Sequence, residues 1–168
     1  MLMVETISLT KRFKDLRAVD SLDLKVEEGE IYGLLGPNGA GKTTTLKVLT
    51  TLLPPSSGRA LVAGYDVTRE PRRVQESIGY VPQLLSADGA LTGYENLLIF
   101  AKLFGLSRQQ RAEEVQAALE YMGLDEAQDR LVKNYSGGMV RRREIAQSLL
   151  HRPPVMLMDD PTTGLDPV

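Results

Sequence analysis

Residues 36–44 of this chain read Gly-Pro-Asn-Gly-Ala-Gly-Lys-Thr-Thr. Glycines at this spacing let successive backbone N–H groups turn toward phosphate oxygens, and a helix that follows adds the positive end of its dipole. Lys42 would then reach the β- and γ-phosphates of a nucleotide, and the Thr43 hydroxyl would ligate Mg²⁺. The stretch therefore predicts a phosphate-binding loop, the less specific alternative being an ordinary glycine-rich turn.

The flanking segments fit a loop between a strand and a helix. A short apolar run, Ile31–Leu35, predicts a strand before the loop, and residues 44–51 predict a helix after it. Alternating apolar residues from Leu22 to Val26 predict a further strand, followed by a turn at residues 28–29. Residues 58–65 and 78–81 are also typical of short strands.

From about residue 90 the apolar period becomes helical. Thr92 with Glu95, and Ser107 with Gln110, have the spacing of capping boxes at helix N-termini, and Gly123 predicts the end of the second helix. A third helix opens at residues 136–138 and ends before the prolines at 153–154. Residues 155–158 then predict a buried strand. The order of elements indicates an α/β fold.

Composition excludes several classes of protein. Twenty basic and 22 acidic residues give a net charge of −2, which argues against a dedicated nucleic-acid binder. The chain has no cysteine, so disulfides and thiolate metal sites are excluded. The strongest apolar run, Leu97–Ala101, is far shorter than a membrane span. The basic triplet at residues 141–143 predicts a solvated helix face rather than a DNA site.

A carboxylate follows the last predicted strand. Asp159 stands where it would hold Mg²⁺ directly or through water, although a solvated Asp at a strand end is common. Together with the phosphate loop, this position favours a nucleotide–metal site.

Three further segments carry a family resemblance. The chain has Gln83, then Asn-Tyr-Ser-Gly-Gly-Met-Val-Arg at 134–141, then Pro-Thr-Thr-Gly-Leu-Asp at 161–166. With the phosphate loop these segments resemble the ABC-type ATPases, in the family's order and over nearly the whole chain. The segments VAGYDV, YVPQ and LTGYENL resemble the corresponding segments of bacterial drug-resistance exporter ATPases of the daunorubicin type.

The resemblance implies a role for each matching position. Phe13 would stack on adenine, Gln83 would join Mg²⁺ and the attacking water, and Asp160 would stand at the position of the general base. The residues implied in nucleotide binding are Phe13, Gly36, Pro37, Asn38, Gly39, Ala40, Gly41, Lys42, Thr43, Thr44, Ser136, Gly137, Gly138 and Asp166. Those implied at the metal are Thr43, Gln83 and Asp159, and those implied in catalysis are Asp160, Gln83 and Lys42.

The fold implied is a phosphate-loop ATPase core with an antiparallel β subdomain and a helical signature subdomain. Residues 1–86 would form the β subdomain and core, residues 87–152 the helical subdomain, and residues 153–168 the metal-binding strand and the interface loop. In the family, a strand and a switch His follow that loop, so the resemblance implies a chain that lacks its C-terminal strands. The lone His151 does not match the switch and is expected to interact with the last carbonyls of a helix.

The function implied is ATP binding and hydrolysis that powers export of a small molecule. Two copies would pair head to tail with ATP and Mg²⁺ at their interface, on the cytoplasmic face of the membrane, held there by a permease and without nucleic acid. Apolar residues of the 84–105 stretch would form either a groove for the permease or part of the helical core: Leu84, Leu85, Leu91 and Tyr94.

Three departures from the family's pattern matter. The family usually has Glu where this chain has Asp160, and Asp is shorter by about 1.5 Å, which predicts slow turnover; the missing switch His favours the same outcome. Met139 replaces the usual Gln of the signature, whose phosphate contacts come from Ser136 and backbone amides.

Two alternatives therefore stay open: a nucleotide-sensing module that hydrolyses little ATP, and a non-transport ABC ATPase. Coiled-coil DNA-repair forms are disfavoured, since the interval from Lys42 to Ser136 has no sustained heptads.

Overall fold

The computed structural model describes residues 1–84 and 86–160. The described chain groups into two compact units, one from Met1 to Ile78 and one that begins at Gly79. The division at residues 86 and 152 expected from the resemblance stays a prediction.

The first unit is built on a four-stranded sheet in the order β2-β1-β3-β4, in which each neighbouring pair of strands is antiparallel. Its elements are β1 (Leu2–Phe13), β2 (Leu16–Glu27), α1 (Lys42–Leu49), β3 (Ser57–Val62), β4 (Tyr65–Asp66) and α2 (Pro71–Glu76). The two long strands form a hairpin with a two-residue turn, Lys14 taking a positive φ of 49°.

Exposure alternates in β3 and in the second half of β2, as expected of a sheet with one covered face, whereas in β1 neighbouring residues are buried in pairs. Val4, Leu9 and Val62 are buried in the strands, and Val48 and Leu49 are buried in α1. The predicted strand at Leu22–Val26 and the turn after it are confirmed within β2 and at residues 28–29, whereas β1 and α2 were not predicted.

The predicted strand at Ile31–Leu35 is wrong. The segment has no strand hydrogen bonding among the described residues, and Ile31 is 100% and Leu35 92% exposed. An apolar run becomes a strand only when another strand offers it ladder hydrogen bonds. None of the described strands pairs with this one.

The second unit combines helices with a two-stranded sheet of β5 and β6. Its elements are β5 (Ile78–Val81), α3 (Gly93–Leu103), α4 (Arg108–Tyr121), α5 (Gly137–Leu149) and β6 (Val155–Met158), with 3₁₀ turns at Asp125–Ala127 and Val132–Asn134. The helices share one core, made by Leu97, Ala101, Val115, Leu119, Leu124, Ala146 and Leu150.

Local sequence signals fix the ends of these helices. The hydroxyl of Thr92 accepts a hydrogen bond from the amide of Glu95, and the Glu95 carboxylate accepts one from the amide of Thr92. Ser107 and Gln110 form the same reciprocal pair at the start of α4. Gly123 follows α4 with a φ of +61°. The two predicted capping boxes and the glycine stop are thus confirmed.

Close packing joins α5 to the strands of its unit. A Cβ at Gly79 in β5 would collide with the Met156 sulfur and with the carbonyl oxygen of Ser148. Only glycine therefore lets the end of α5 approach β5 this closely. This packing brings the residues that follow each strand within reach of α5.

Candidate nucleotide-binding site

The phosphate loop occupies residues 36–41 and runs into the first turn of α1. Gly39 and Gly41 have φ values of 84° and 91°, in the left-handed region that glycine adopts without strain. A Cβ at Gly41 would in addition collide with the carbonyl oxygen of Ala18 in β2. Glycine is therefore required at position 41 for two reasons: the positive φ of the backbone and the closeness of β2.

Lys42 closes this loop in the structure. Its Nζ donates to the carbonyl oxygens of Gly36 (2.8 Å) and Pro37 (2.9 Å). Asn38 and Ala40 complete the loop, with the amide of Ala40 bonded back to Pro37. The ammonium is thereby held over the ring of backbone that the sequence predicts to cradle phosphates.

The N-terminus of α1 has the features of an anion site. Gly41 is the N-cap and offers no side chain, and the first turn of α1, from Lys42 through Thr44, contains no acidic residue. The helix dipole and the amides of the first turn therefore lie next to the Lys42 ammonium without a competing carboxylate. Thr45 binds the carbonyl oxygen of Gly41 through its hydroxyl and its amide.

A cleft of about 390 Å³ extends from this loop along β2. Its lining includes Arg17 and Asp20, paired through the Arg17 Nη1, which donates to both carboxylate oxygens of Asp20 at 2.8 and 2.9 Å, and the apolar Val19 and Leu22. The sequence reasoning missed these residues, because a strand sequence alone does not show which face meets the loop.

Phe13 does not line this cleft. It ends β1 with 42% of its surface exposed, and the Lys11 ammonium lies 5.2 Å from the ring centroid. Its predicted stacking on adenine stays a prediction.

The second unit carries the predicted metal-binding and catalytic carboxylates. Asp159 follows β6 and is buried, and its amide donates to the carbonyl oxygen of Val81 at the end of β5 (2.9 Å). Burial raises the pKa of the neighbouring Tyr80 hydroxyl, and the Asp159 carboxylate raises it further. Asp159 therefore lies at the end of the two-stranded sheet, where the sequence predicts a metal ligand.

Gln83 and Asp160 meet directly. The Gln83 Nε2 donates to the Asp160 Oδ2 at 3.1 Å, although 77 positions separate them. Asp160 is exposed and has a φ of 50°, a left-handed conformation uncommon for a non-glycine residue. The structure therefore brings together the two residues that the resemblance associates with the attacking water.

Residues 134–141, the signature segment of the resemblance, lead into α5 as predicted. The Ser136 hydroxyl accepts a hydrogen bond from the amide of Met139 (3.2 Å), which makes Ser136 the N-cap. Gly137 and Gly138 form the first turn, which contains no acidic residue. The N-cap role that the sequence suggested for Ser136 is confirmed, and its contact with phosphate stays a prediction.

The prediction of a solvated basic face at residues 141–143 is wrong. Arg141 and Arg143 are both 0% exposed. The Arg141 guanidinium is tolerated inside the protein because it donates to the carbonyl oxygens of Pro82 and Asp160, on two segments distant in sequence. Arg143 donates to the Gln147 side chain (2.7 Å), while its Nε and Nη2 have no hydrogen-bond partner among the described residues.

The remaining predicted positions are placed as follows. His151 follows α5 and stacks on Phe104 with ring centroids 3.9 Å apart. Leu84 is 80% exposed, whereas Tyr94 packs against the helical core. Leu85 and Asp166, with the rest of the 161–166 motif, lie outside the described residues. In the part of the chain that the structure describes, no helix has the length and apolar character to cross a membrane.

Comparison with known proteins identifies the family of this chain. The family model described as "ABC transporter" matches residues 19–163. The daunorubicin/doxorubicin resistance ATP-binding protein DrrA of Streptomyces peucetius is 49% identical over 98% of this chain and 50% of its own length. The Nod factor export ATP-binding protein I of Cupriavidus metallidurans is 44% identical over 95% of this chain and 53% of its own.

A solved structure described as the ATP binding subunit of an ABC transporter has a TM-score of 0.87 and 28% identity. The alignment covers 98% of this chain and 69% of that chain. The chain spans about half the length of the curated relatives that it matches. On the family match and the identity over nearly its whole length, the chain belongs to the ABC transporter family and is similar to its ATP-binding subunits.

Proposed function

We propose that the protein binds ATP with Mg²⁺ and hydrolyses it to drive export of a small molecule through a membrane permease. The observation that carries this proposal is the Lys42 ammonium, held over the phosphate loop at the N-terminus of α1. A triphosphate offers the oxygens that would replace the carbonyls of Gly36 and Pro37 as partners of this ammonium. The relatives, named for drug resistance and for export, support the transport role.

The side chains predicted as metal ligands are of the chemical kind that Mg²⁺ binds. Its preferred ligands are oxygens from one or two protein side chains together with phosphates and water, and Asp159 and Thr43 would provide such oxygens, with the Gln83 side chain near the water. The metal would neutralise charge on the transferred phosphoryl group. The protein's own share is positioning, with Lys42 on the phosphate oxygens and Asp160 toward the attacking water.

The coupling step would use two copies. Each triphosphate would be held by the phosphate loop of one copy and by Ser136, Gly137 and Gly138 of the other, whose amides lie at a helix N-terminus. Asp166 would belong to the loop at that interface. Pairing driven by contacts with the γ-phosphate, and release after hydrolysis, would make a two-state switch acting on a permease at the cytoplasmic face.

A second function is favoured by the carboxylate at position 160. The Asp160 side chain is short, and its carboxylate already accepts a hydrogen bond from Gln83. A protein that binds ATP and hydrolyses it slowly would act as a nucleotide-dependent switch rather than as a fast pump. Single-turnover hydrolysis separates this alternative from the first.

The binding proposal is tested by Lys42→Met in the full-length protein. Equilibrium retention of radiolabelled ATP should fall at least about 30-fold, because a desolvated charge-assisted contact of this kind contributes about 2 kcal/mol. Lys47→Met is the matched control: Lys47 is an exposed lysine of the same helix, and its loss should leave ATP affinity unchanged. Equal ATP retention by wild type and Lys42→Met would refute the proposed function.

A further inference from the structure

A buried ion pair on α5 lies next to the loops that carry Gln83 and the two carboxylates. Arg141 Nη1 lies 3.3 Å from Glu144 Oε2, and the two side chains are 0% and 2% exposed. The cost of removing two charges from water often cancels their attraction, so a well-packed apolar pair would be about as stable. The contacts that this pair makes are therefore more informative than its contribution to stability.

Arg141 joins the residues that follow both strands. Its Nη1 donates to the carbonyl oxygen of Pro82, just before Gln83, at 2.5 Å. Its Nη2 donates to the carbonyl oxygens of Asp160 at 2.6 Å and Asp159 at 3.3 Å. One planar guanidinium thus ties the backbone beside Gln83 to the backbone of both carboxylates, a geometry that the compact ammonium of lysine does not reproduce.

Glu144 holds the other side of the Gln83 segment. Its Oε1 accepts hydrogen bonds from the amide of Ser86 (2.5 Å) and from the Ser86 hydroxyl (3.1 Å). The ion pair therefore contacts the chain both before and after Gln83. We call Arg141 and Glu144, with these contacts, the α5 clamp.

We propose that the α5 clamp is a positioning device, which sets the distance from the Gln83 amide to the carboxylates of Asp159 and Asp160. Neither clamp residue touches the reacting atoms. Each acts by fixing the backbone of the residues that would bind metal and water, and the inference rests on the proposed ATP hydrolysis. Because Ser136 is the N-cap of α5, the clamp also makes this helix the support of the proposed catalytic geometry.

The test compares two buried arginines on one helix. Arg141→Met removes the clamp, whereas Arg143→Met removes an equally buried guanidinium whose side-chain hydrogen bond goes to Gln147. The single-turnover rate with MgATP should fall about 10- to 100-fold in Arg141→Met, as expected for a misplacement of about 1 Å. The dissociation constant for ATP should stay within about threefold. Both quantities should match wild type in Arg143→Met.

A double variant separates positioning from folding. Arg141→Met alone removes the ion-pair partner of the buried Glu144 carboxylate, which destabilises the protein, whereas Arg141→Met/Glu144→Leu removes both charges. The double variant should melt near the wild-type temperature and still hydrolyse slowly. Hydrolysis at the wild-type rate in the folded double variant would overturn the inference and leave the proposed function standing.

Amide exchange tests the clamp without relying on activity. The amide of Ser86 donates to Glu144 and that of Asp159 to Val81, and both should exchange faster in the double variant than in Arg143→Met. Unchanged exchange at these amides would overturn the inference whatever the hydrolysis rate. Equal ATP binding by wild type and Lys42→Met would instead count against the proposed function.

Discussion

At the scale of single residues, we expect the length of the side chain at position 160 to limit hydrolysis. Asp160 projects from a left-handed backbone position, and its carboxylate is held by Gln83. Its backbone carbonyl is held separately by Arg141. Because the backbone is fixed, an added methylene would move the carboxylate outward by about 1.5 Å rather than displace the chain.

We therefore expect Asp160→Glu to hydrolyse ATP faster than wild type, by up to about 100-fold in single turnover. Asp160→Ala should be slower than wild type, which controls for simple removal of the hydrogen bond with Gln83. ATP affinity should be similar in all three proteins. Equal single-turnover rates for wild type and Asp160→Glu would show that side-chain length at this position does not limit the reaction.

Arginine burial shows what residue type alone does not predict. Their charge led to the prediction that residues 141–143 are exposed to solvent. Arg141 is instead buried, and its hydrogen-bond partners lie at positions 82, 159 and 160. The link between Gln83 and Asp160 spans 77 positions. Such contacts depend on how strands and helices pack, so a single sequence identifies the residue types without identifying the pairs.

At the scale of elements, local signals predicted helix ends well. Thr92, Ser107 and Ser136 each cap a helix through an amide three residues ahead, which depends on only a few consecutive residues. The Ile31–Leu35 segment was mispredicted for the opposite reason, because a strand requires hydrogen-bond partners from elsewhere in the chain. Helices, whose hydrogen bonds are internal, were the more predictable elements.

The connection from β4 to α2 depends on one carboxylate. Burial alone would raise the pKa of the Asp66 carboxyl, but hydrogen bonds from the amides of Thr68 and Arg69 and from the Arg59 guanidinium outweigh burial and lower it below its usual value. A carboxyl whose pKa is lower in the folded state stabilises the protein above its unfolded pKa. That stabilisation is lost as the pH falls through the folded-state pKa.

Asp66→Asn should lower the free energy of unfolding by about 1–2 kcal/mol at pH 7. The difference from wild type should shrink as the pH falls below about 4, the range in which Asp titrates in the unfolded chain. Urea denaturation at several pH values measures this difference, with Asp15→Asn, a change at an exposed turn residue, as the control. A pH-independent difference would assign the effect to lost hydrogen bonds without linked titration.

At the scale of the whole molecule, ligand binding should appear as thermal stability. A ligand present at about 100 times its dissociation constant, bound only by the folded protein, stabilises it by about 2.7 kcal/mol. For a chain of this size each kcal/mol raises the melting temperature by roughly 2–4 °C. MgATP should therefore raise the melting temperature by about 5–10 °C, whereas adenosine at the same concentration should have little effect. An equal shift with adenosine would place the recognised group on the base or sugar instead of the phosphates.

The Lys42 ammonium resting on two carbonyls of its own loop has a consequence for selectivity. An isolated chloride or sulfate would have to compete for the ammonium with the carbonyl oxygens of Gly36 and Pro37. The few new contacts that it makes would compensate poorly for the loss of these hydrogen bonds. A chain of linked phosphates presents several oxygens at once, so it can engage the amides of the loop and the ammonium together. We therefore expect the loop to favour linked phosphates over small anions before any contact with the base is made.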